Sequence, residues 1–289
     1  MKYSSEKDTS LIKIFEGTLK ENWGSKAFTD YGIKVELEYT YQDVAQHIER
    51  FHYLFEELGV KPGDKIAICD KNSSNWTITL LSTLTYGAVA VPILNDFNME
   101  QIENIYSHSE SILFFCSNRV YTESANLDKA RMINLADFKP FADDQKTLAA
   151  FENAAKKYNT RFPNGMQPSD VSYKVEDPEA LALLSYTSGS TGNSKGVMIP
   201  NRAIWSNVLF ADAVLALKPG SKILSMLPLA HMYGFAFEFL YEFSIGCHVH
   251  FLTKVPSPKI LLGALAAIRP SLVIAVPLIV EKIVKGKVF

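Results

Sequence analysis

Residues 65–93 open with Lys65-Ile66-Ala67-Ile68-Cys69, continue through Asp70-Lys71-Asn72-Ser73-Ser74 into Asn75-Trp76, and close with Tyr86-Gly87-Ala88-Val89-Ala90-Val91-Pro92-Ile93. The first five form an apolar run of strand length, Ser73-Ser74 supply hydroxyls that cap a helix running to about Tyr86, and 88–93 is a second apolar run. Strand, helix and strand therefore follow one another within one unit. Residues 76–93 are about as long as a membrane span, but they carry Thr77, Thr79, Ser82, Thr83 and Thr85 and are broken at Gly87 and Pro92. A buried helix followed by a strand accounts for them better.

Working outward, 42–58 places Val44, Ile48, Phe51, Phe55 and Leu58 at three- or four-residue steps, an amphipathic helix closed by Gly59 and the turn Lys61-Pro62-Gly63-Asp64. Downstream, 98–107 reads as a helix and 111–116 as a strand. A polar excursion over 138–180 holds one helix near 146–158. The alternation then resumes with strands at 181–185, 222–227 and 247–252, helices at 201–217, 233–243 and 259–268, and a buried strand at 271–276. A second long apolar stretch, 260–283, is interrupted by Arg269-Pro270, which would put a charge and a helix breaker inside any span. Continuous apolar strands alternating with helices predict an α/β fold of mainly parallel sheets covered by helices on both faces. Approximate lobes are expected at 1–178 and 179–289.

The 289 residues are 47% apolar and carry 29 Lys+Arg against 31 Asp+Glu, so there is ample core and no general basic field for nucleic acid. Cys69, Cys116 and Cys247 are far apart and odd in number, which predicts buried thiols in a reducing compartment rather than disulfides or a zinc ribbon. The polar, acid-containing start Met1-Lys2-Tyr3-Ser4-Ser5-Glu6 argues against a presequence, making the cytoplasm the expected location. Peripheral contact with a membrane surface and pairing into a homodimer are both compatible with this composition.

The chemistry is concentrated in Tyr186-Thr187-Ser188-Gly189-Ser190-Thr191-Gly192-Asn193-Ser194-Lys195-Gly196-Val197. Glycines let a backbone approach phosphate oxygens, hydroxyls and amides donate to them, and an ammonium offsets their charge. A Ser/Gly surface loop has a similar composition, but here the donors crowd beside a lysine directly after a strand. Ser194 before Lys195 and Gly196 after it exclude a Walker loop, and the spacing is not that of a dinucleotide turn. His231 alone reads as a capping or packed histidine. His248 and His250 alternate along a strand and face one side, more in keeping with packed or exposed histidines than with a metal site.

With this loop the sequence resembles the adenylate-forming (AMP-binding) enzymes, which include acyl-CoA synthetases, luciferases and peptide-synthetase adenylation domains. Their signature, Tyr/Phe-Thr-Ser-Gly-Ser/Thr-Thr-Gly-x-Pro-Lys-Gly-Val, is matched by 186–197 at every position except Ser194, where proline is usual. That change loosens the turn before Lys195 and leaves its charge and the glycines intact. Leu227-Pro228-Leu229-Ala230-His231-Met232-Tyr233-Gly234-Phe235 is similar to the family's second core segment. Gly87 to Pro92 resembles an early G-A-x-x-V-P segment, and Thr40-Tyr41 a still earlier helix start. Val276-Pro277 with Glu281-Lys282-Ile283 resembles a pattern of long-chain acyl-CoA synthetases.

The resemblance implies an ATP-dependent acid–thiol ligase. A fatty acid carboxylate attacks the α-phosphorus of ATP, pyrophosphate leaves, and the acyl group passes from the adenylate to CoA, with Mg2+ bridging the phosphates. Thr187, Ser188, Gly189, Ser190, Thr191, Gly192 and Lys195 would hold the nucleotide, Thr187 would serve the metal, and Lys195 and His231 would be catalytic. Tyr233 and Phe235 would border the acyl pocket. The family's later adenine, ribose and C-terminal lysine segments do not occur before Phe289, so the chain is expected to be the front part of such an enzyme, as an expressed fragment or truncated product, binding nucleotide poorly and inactive alone. A naturally short, non-catalytic relative that binds nucleotide, an acyl group or a protein partner is the alternative.

Overall fold

The computed structural model describes residues 10–187, 195–277 and 281. In chain order the elements are α1 (Leu11–Glu21), β1 (Lys26–Tyr31), β2 (Val35–Thr40), α2 (Tyr41–Glu57), β3 (Lys65–Cys69), α3 (Ser74–Tyr86), β4 (Val89–Pro92), α4 (Met99–His108), β5 (Ser111–Cys116), α5 (Asn118–Glu123), β6 (Met132–Asn134) and α6 (Gln145–Arg161). There follow β7 (Leu181–Thr187), β8 (Lys195–Pro200), α7 (Asn201–Val214), β9 (Lys222–Ser225), α8 (Met232–Phe235), a π turn (Ala236–Leu240), α9 (Tyr241–Ile245), β10 (His248–Leu252), α10 (Pro258–Ile268) and β11 (Leu272–Val273).

Two sheets organise these elements, one in the order β6-β5-β3-β4-β7-β8 and the other β11-β9-β10-β1-β2. Every pairing is parallel except the hairpins β7–β8 and β1–β2, which lie at sheet edges. The mainly parallel α/β reading is thus what the chain builds. The expected boundary at 178 does not divide the sheets, because β7 and β8 join β4 while β1 joins β10. Pairing between distant strands decides sheet membership here, and the polar excursion adds no strand to either sheet, while its helix α6 packs on α2 and buries Ala150, Ala154 and Tyr158.

The helix of the opening segment lies between the sheets: α3 touches β1 and β2 of one and β3 and β4 of the other. All its residues from Ser74 to Thr85 are buried. Its hydroxyls are reconciled with that burial by bonding inside the helix: Thr79 donates to the Asn75 carbonyl at 2.9 Å, Ser82 to Ile78 at 2.7 Å, and Thr83 to Thr79 at 2.8 Å. Ser73 caps its start, and Gly87, at φ 84°, ends it in the left-handed region that glycine enters without strain. Asp30 of β1 accepts from both the amide and the hydroxyl of Ser74 at 2.7 Å, tying one sheet to the first turn of the helix that covers the other. Burial raises the Asp30 carboxyl, and these two bonds oppose the rise.

The expected strand at 271–276 is much shorter. Among the described residues only Leu272 and Val273 pair, with Ile223 and Leu224, and both are half-buried, because β11 there has a strand neighbour on one side alone. The helix expected over 201–217 ends at Val214. Of the Glu281-Lys282-Ile283 segment, all but Glu281 lies outside the described residues. All three cysteines are buried and none is in a disulfide, as expected. No helix among the described residues is long and apolar enough to cross a membrane.

Candidate functional site

In open parallel sheets, loops at the carboxyl ends of the strands form the binding crevice. β7 delivers the signature segment to that end. Thr187 and Lys195 are register partners in the antiparallel β7–β8 ladder, so the intervening loop departs and returns between two exposed side chains. Ser188, Gly189, Ser190, Thr191 and Gly192, expected to grip phosphate, lie outside the described residues. The root of the loop is firmly built. The Tyr186 hydroxyl is 2.7 Å from Nδ1 of His108, the last residue of α4, and its ring meets the imidazole edge-on. Gly196 faces that ring: a Cβ there would lie 3.1 Å from Leu184 Cδ1 and 3.2 Å from Tyr186 Cζ, which explains the glycine after the lysine.

The second motif hangs from the other sheet. After β9 the chain turns over Met226 to Ala230, and His231 begins α8, its carbonyl accepting from Phe235 N at 2.9 Å. The imidazole neither caps that helix nor packs into the core, contrary to what the residue alone suggests; it is exposed. Gly234 allows the helix to press on the turn, since a Cβ would come within 2.7 Å of the Pro228 carbonyl. Tyr233 and Phe235, expected together at an acyl pocket, diverge. Phe235 is 1% exposed in the core, whereas Tyr233 is 56% exposed and lies against Phe237.

A cleft of about 230 Å3 opens where the carboxyl ends of β3, β4, β9 and β10 converge. Asp70, Asn72 and Asn95 line it from one sheet, and Met226, Ala230 and Leu252 from the other. Burial raises the Asp70 carboxyl. His248 and His250 do share a face, with ring centroids 3.9 Å apart, but they are buried away from this cleft's lining: His248 Nε2 meets the Thr29 hydroxyl at 2.7 Å and His250 Nδ1 the Ile223 carbonyl at 3.2 Å. Among the described residues no group of three or more His, Cys, Asp or Glu side chains could hold a metal ion.

Two residues not singled out from the sequence bear on the site. Asn72 accepts from Leu229 N at 2.9 Å and donates to the Leu227 carbonyl at 2.6 Å. Glu238, fully buried on the π turn, accepts from Ser225 Oγ, Met226 N and Leu227 N at 3.1, 2.9 and 2.8 Å through one oxygen. Burial pushes its carboxyl up to about 8 against those three bonds. The signals were present: a polar residue just beyond a strand's carboxyl end, and an acid inside the apolar run Phe235-Ala236-Phe237-Glu238-Phe239.

Solved structures share this fold. The N-terminal subdomain of Klebsiella oxytoca NpsA, in complex with 3-hydroxybenzoyl-AMSN, superposes with a TM-score of 0.74 at 18% identity, covering 99% of this chain and 66% of that one. An inhibitor-bound N-terminal domain of FACL13 from Mycobacterium tuberculosis gives 0.73 at 18% identity, covering 94% and 64%. Among sequences, a probable chloroplastic acyl-activating enzyme of Arabidopsis thaliana is 27% identical over 98% of this chain and 40% of its own length. A long-chain-fatty-acid–CoA ligase of Mycobacterium bovis is 29% identical over 78% of this chain and 36% of its own length. The chain thus spans about 40% or less of these curated relatives. The AMP-binding enzyme family matches residues 18–289, nearly the whole of what the two sheets and their loops are built from, and the chain belongs to that family.

Proposed function

We propose that the full-length gene product is an ATP-dependent fatty acyl-CoA synthetase. The observation that carries this reading is the Thr187–Lys195 register pair, which sets a hydroxyl and an ammonium at the two ends of one glycine-rich loop. Several hydroxyls, backbone amides and one lysine within one short stretch of sequence suit a triphosphate, a ligand with many acceptor oxygens and high negative charge. In this proposal Thr187, Ser188, Gly189, Ser190, Thr191, Gly192 and Lys195 hold the phosphates, with Thr187 beside the metal. Mg2+, when bound with ATP, lowers the charge that the incoming carboxylate must approach.

His231, exposed at the start of α8, orients that carboxylate. A carboxylate oxygen forms the new bond to the α-phosphorus as the bond to pyrophosphate breaks; the thiolate of CoA then takes the acyl group and AMP leaves. Both partners in the first step are anions, so positioning and charge neutralisation supply the rate. Relatives named as long-chain acyl-CoA synthetases support a fatty acid as the carboxylate. Three buried cysteines that form no disulfide suit a reducing compartment such as the cytoplasm.

The test is ATP–pyrophosphate exchange by the full-length product across a series of fatty acids. Exchange that depends on the acid supports the reading, and no exchange with any carboxylic acid overturns it.

A further inference from the structure

We propose that Asn72 and Glu238 are positioning residues for His231, gripping from opposite sides the turn that carries it. What His231 does with a substrate rests on the ligase reading; the grip itself does not.

Beyond Ser225 the chain leaves the sheet, and Met226, Leu227 and Leu229 are buried, so their amides need partners other than a strand or bulk water. Glu238 takes Met226 N and Leu227 N, Pro228 has no N–H, and Asn72 takes Leu229 N while donating to the Leu227 carbonyl. Two side chains therefore satisfy the buried amides of the turn. His231 N then closes on the Pro228 carbonyl at 3.0 Å, so the histidine follows wherever the turn is held.

The two grips come from different places. Asn72 belongs to the loop after β3, on the other sheet and 157 residues from Leu229 in sequence. Glu238 lies on the π turn just past His231, in the same stretch of helix. A turn that needed only local stability would be served by nearby hydroxyls. Instead a carboxyl group is buried with its second oxygen, Oε1, unpartnered, an unfavourable arrangement that apolar residues would avoid. π turns of this kind recur at functional sites. Asn72 and Ala230 also line the same cleft, so the grip joins the sheets at the place where both present their strand ends.

The test compares wild type, Asn72→Ala, Asn72→Asp, Glu238→Ala and Glu238→Gln in the full-length product, with two readouts. In amide hydrogen exchange, which needs no substrate, Asn72→Ala and Glu238→Ala should speed exchange of the Leu229 and Leu227 amides by about tenfold, with Glu238→Gln close to wild type because it keeps an acceptor oxygen. In pyrophosphate exchange, the two alanine variants should raise the KM for the acid and lower kcat by about ten- to a hundredfold, leaving the KM for ATP near wild type. Asn72→Asp, which keeps the acceptor but sets a carboxylate against the Leu227 carbonyl, should resemble Asn72→Ala. Unchanged amide exchange in Asn72→Ala and Glu238→Ala overturns the grip. Faster amide exchange with unaltered acid kinetics, or equal losses toward ATP and acid with a lowered melting temperature, overturns the positioning role. Should wild type itself exchange no pyrophosphate, the ligase reading falls, and the amide comparison still decides the grip.

Discussion

Thr187 and Lys195 are register partners across the β7–β8 hairpin, so the loop between them begins and ends at one point on the carboxyl edge of the sheet. Lys195 is exposed there and packs into no core. Lys195→Ala should therefore leave folding intact, as read by circular dichroism and melting, while lowering pyrophosphate exchange by about a hundredfold or more, the scale of losing one charge-stabilising donor. Lys195→Arg should recover part of it. Full activity in the alanine variant would remove the lysine from the account.

The glycine after that lysine is constrained by space. A methyl at 196 meets Leu184 and Tyr186 at 3.1–3.2 Å, and the Tyr186 ring cannot yield without lengthening its bond to His108. Gly196→Ala is expected to destabilise by about 1–3 kcal/mol, the range for overpacking, and Gly196→Val by more. Thermal denaturation checks the order, and a methyl accepted without loss would show that the ring moves freely.

Glu242 carries a pH prediction. It is fully buried, neither carboxylate oxygen has a partner, and burial together with nearby Glu238 pushes it up to about 8 from an ordinary value of 4.5. Between those two values the native chain holds a proton that the unfolded chain has released, so this residue lowers stability as pH rises through that window. Glu242→Met should melt higher than wild type by a margin that widens from about pH 5 to about pH 8. Parallel melting curves across that range would contradict the assignment.

At the start of α2, Thr40 and Asp43 form a reciprocal capping box, with Thr40 N donating to Asp43 at 2.8 Å and Asp43 N to the Thr40 hydroxyl at 3.1 Å. Thr40→Ala should cost about 1 kcal/mol of stability, measured by urea denaturation. It should not alter the KM for acid or ATP, because the box is remote from both motifs in role.

The segment 65–93 was legible because its signals are local. Ser73 caps, Gly87 stops the helix, and two apolar runs flank it, and each matches the structure within a residue or two. Sheet membership was not legible, since β1 pairs with β10 more than two hundred residues later and nothing near Phe28 or Val249 marks that partnership. The strand expected at 271–276 shrinks to Leu272 and Val273 because an apolar run does not reveal whether it lies inside a sheet or at its edge. At the site, the glycine–hydroxyl–lysine loop and His231 stood out by residue type. Asn72 and Glu238 did not, because their work lies in backbone amides brought near by the fold.

The central claim, that a carboxylate oxygen attacks the α-phosphorus of ATP, is tested most directly by oxygen labelling. A fatty acid with 18O in its carboxyl group, ATP, Mg2+ and CoA are turned over by the full-length product, and AMP and pyrophosphate are weighed by mass spectrometry. The account predicts one 18O atom transferred into AMP and none into pyrophosphate. Label in pyrophosphate or phosphate, or AMP formed without label, would contradict it.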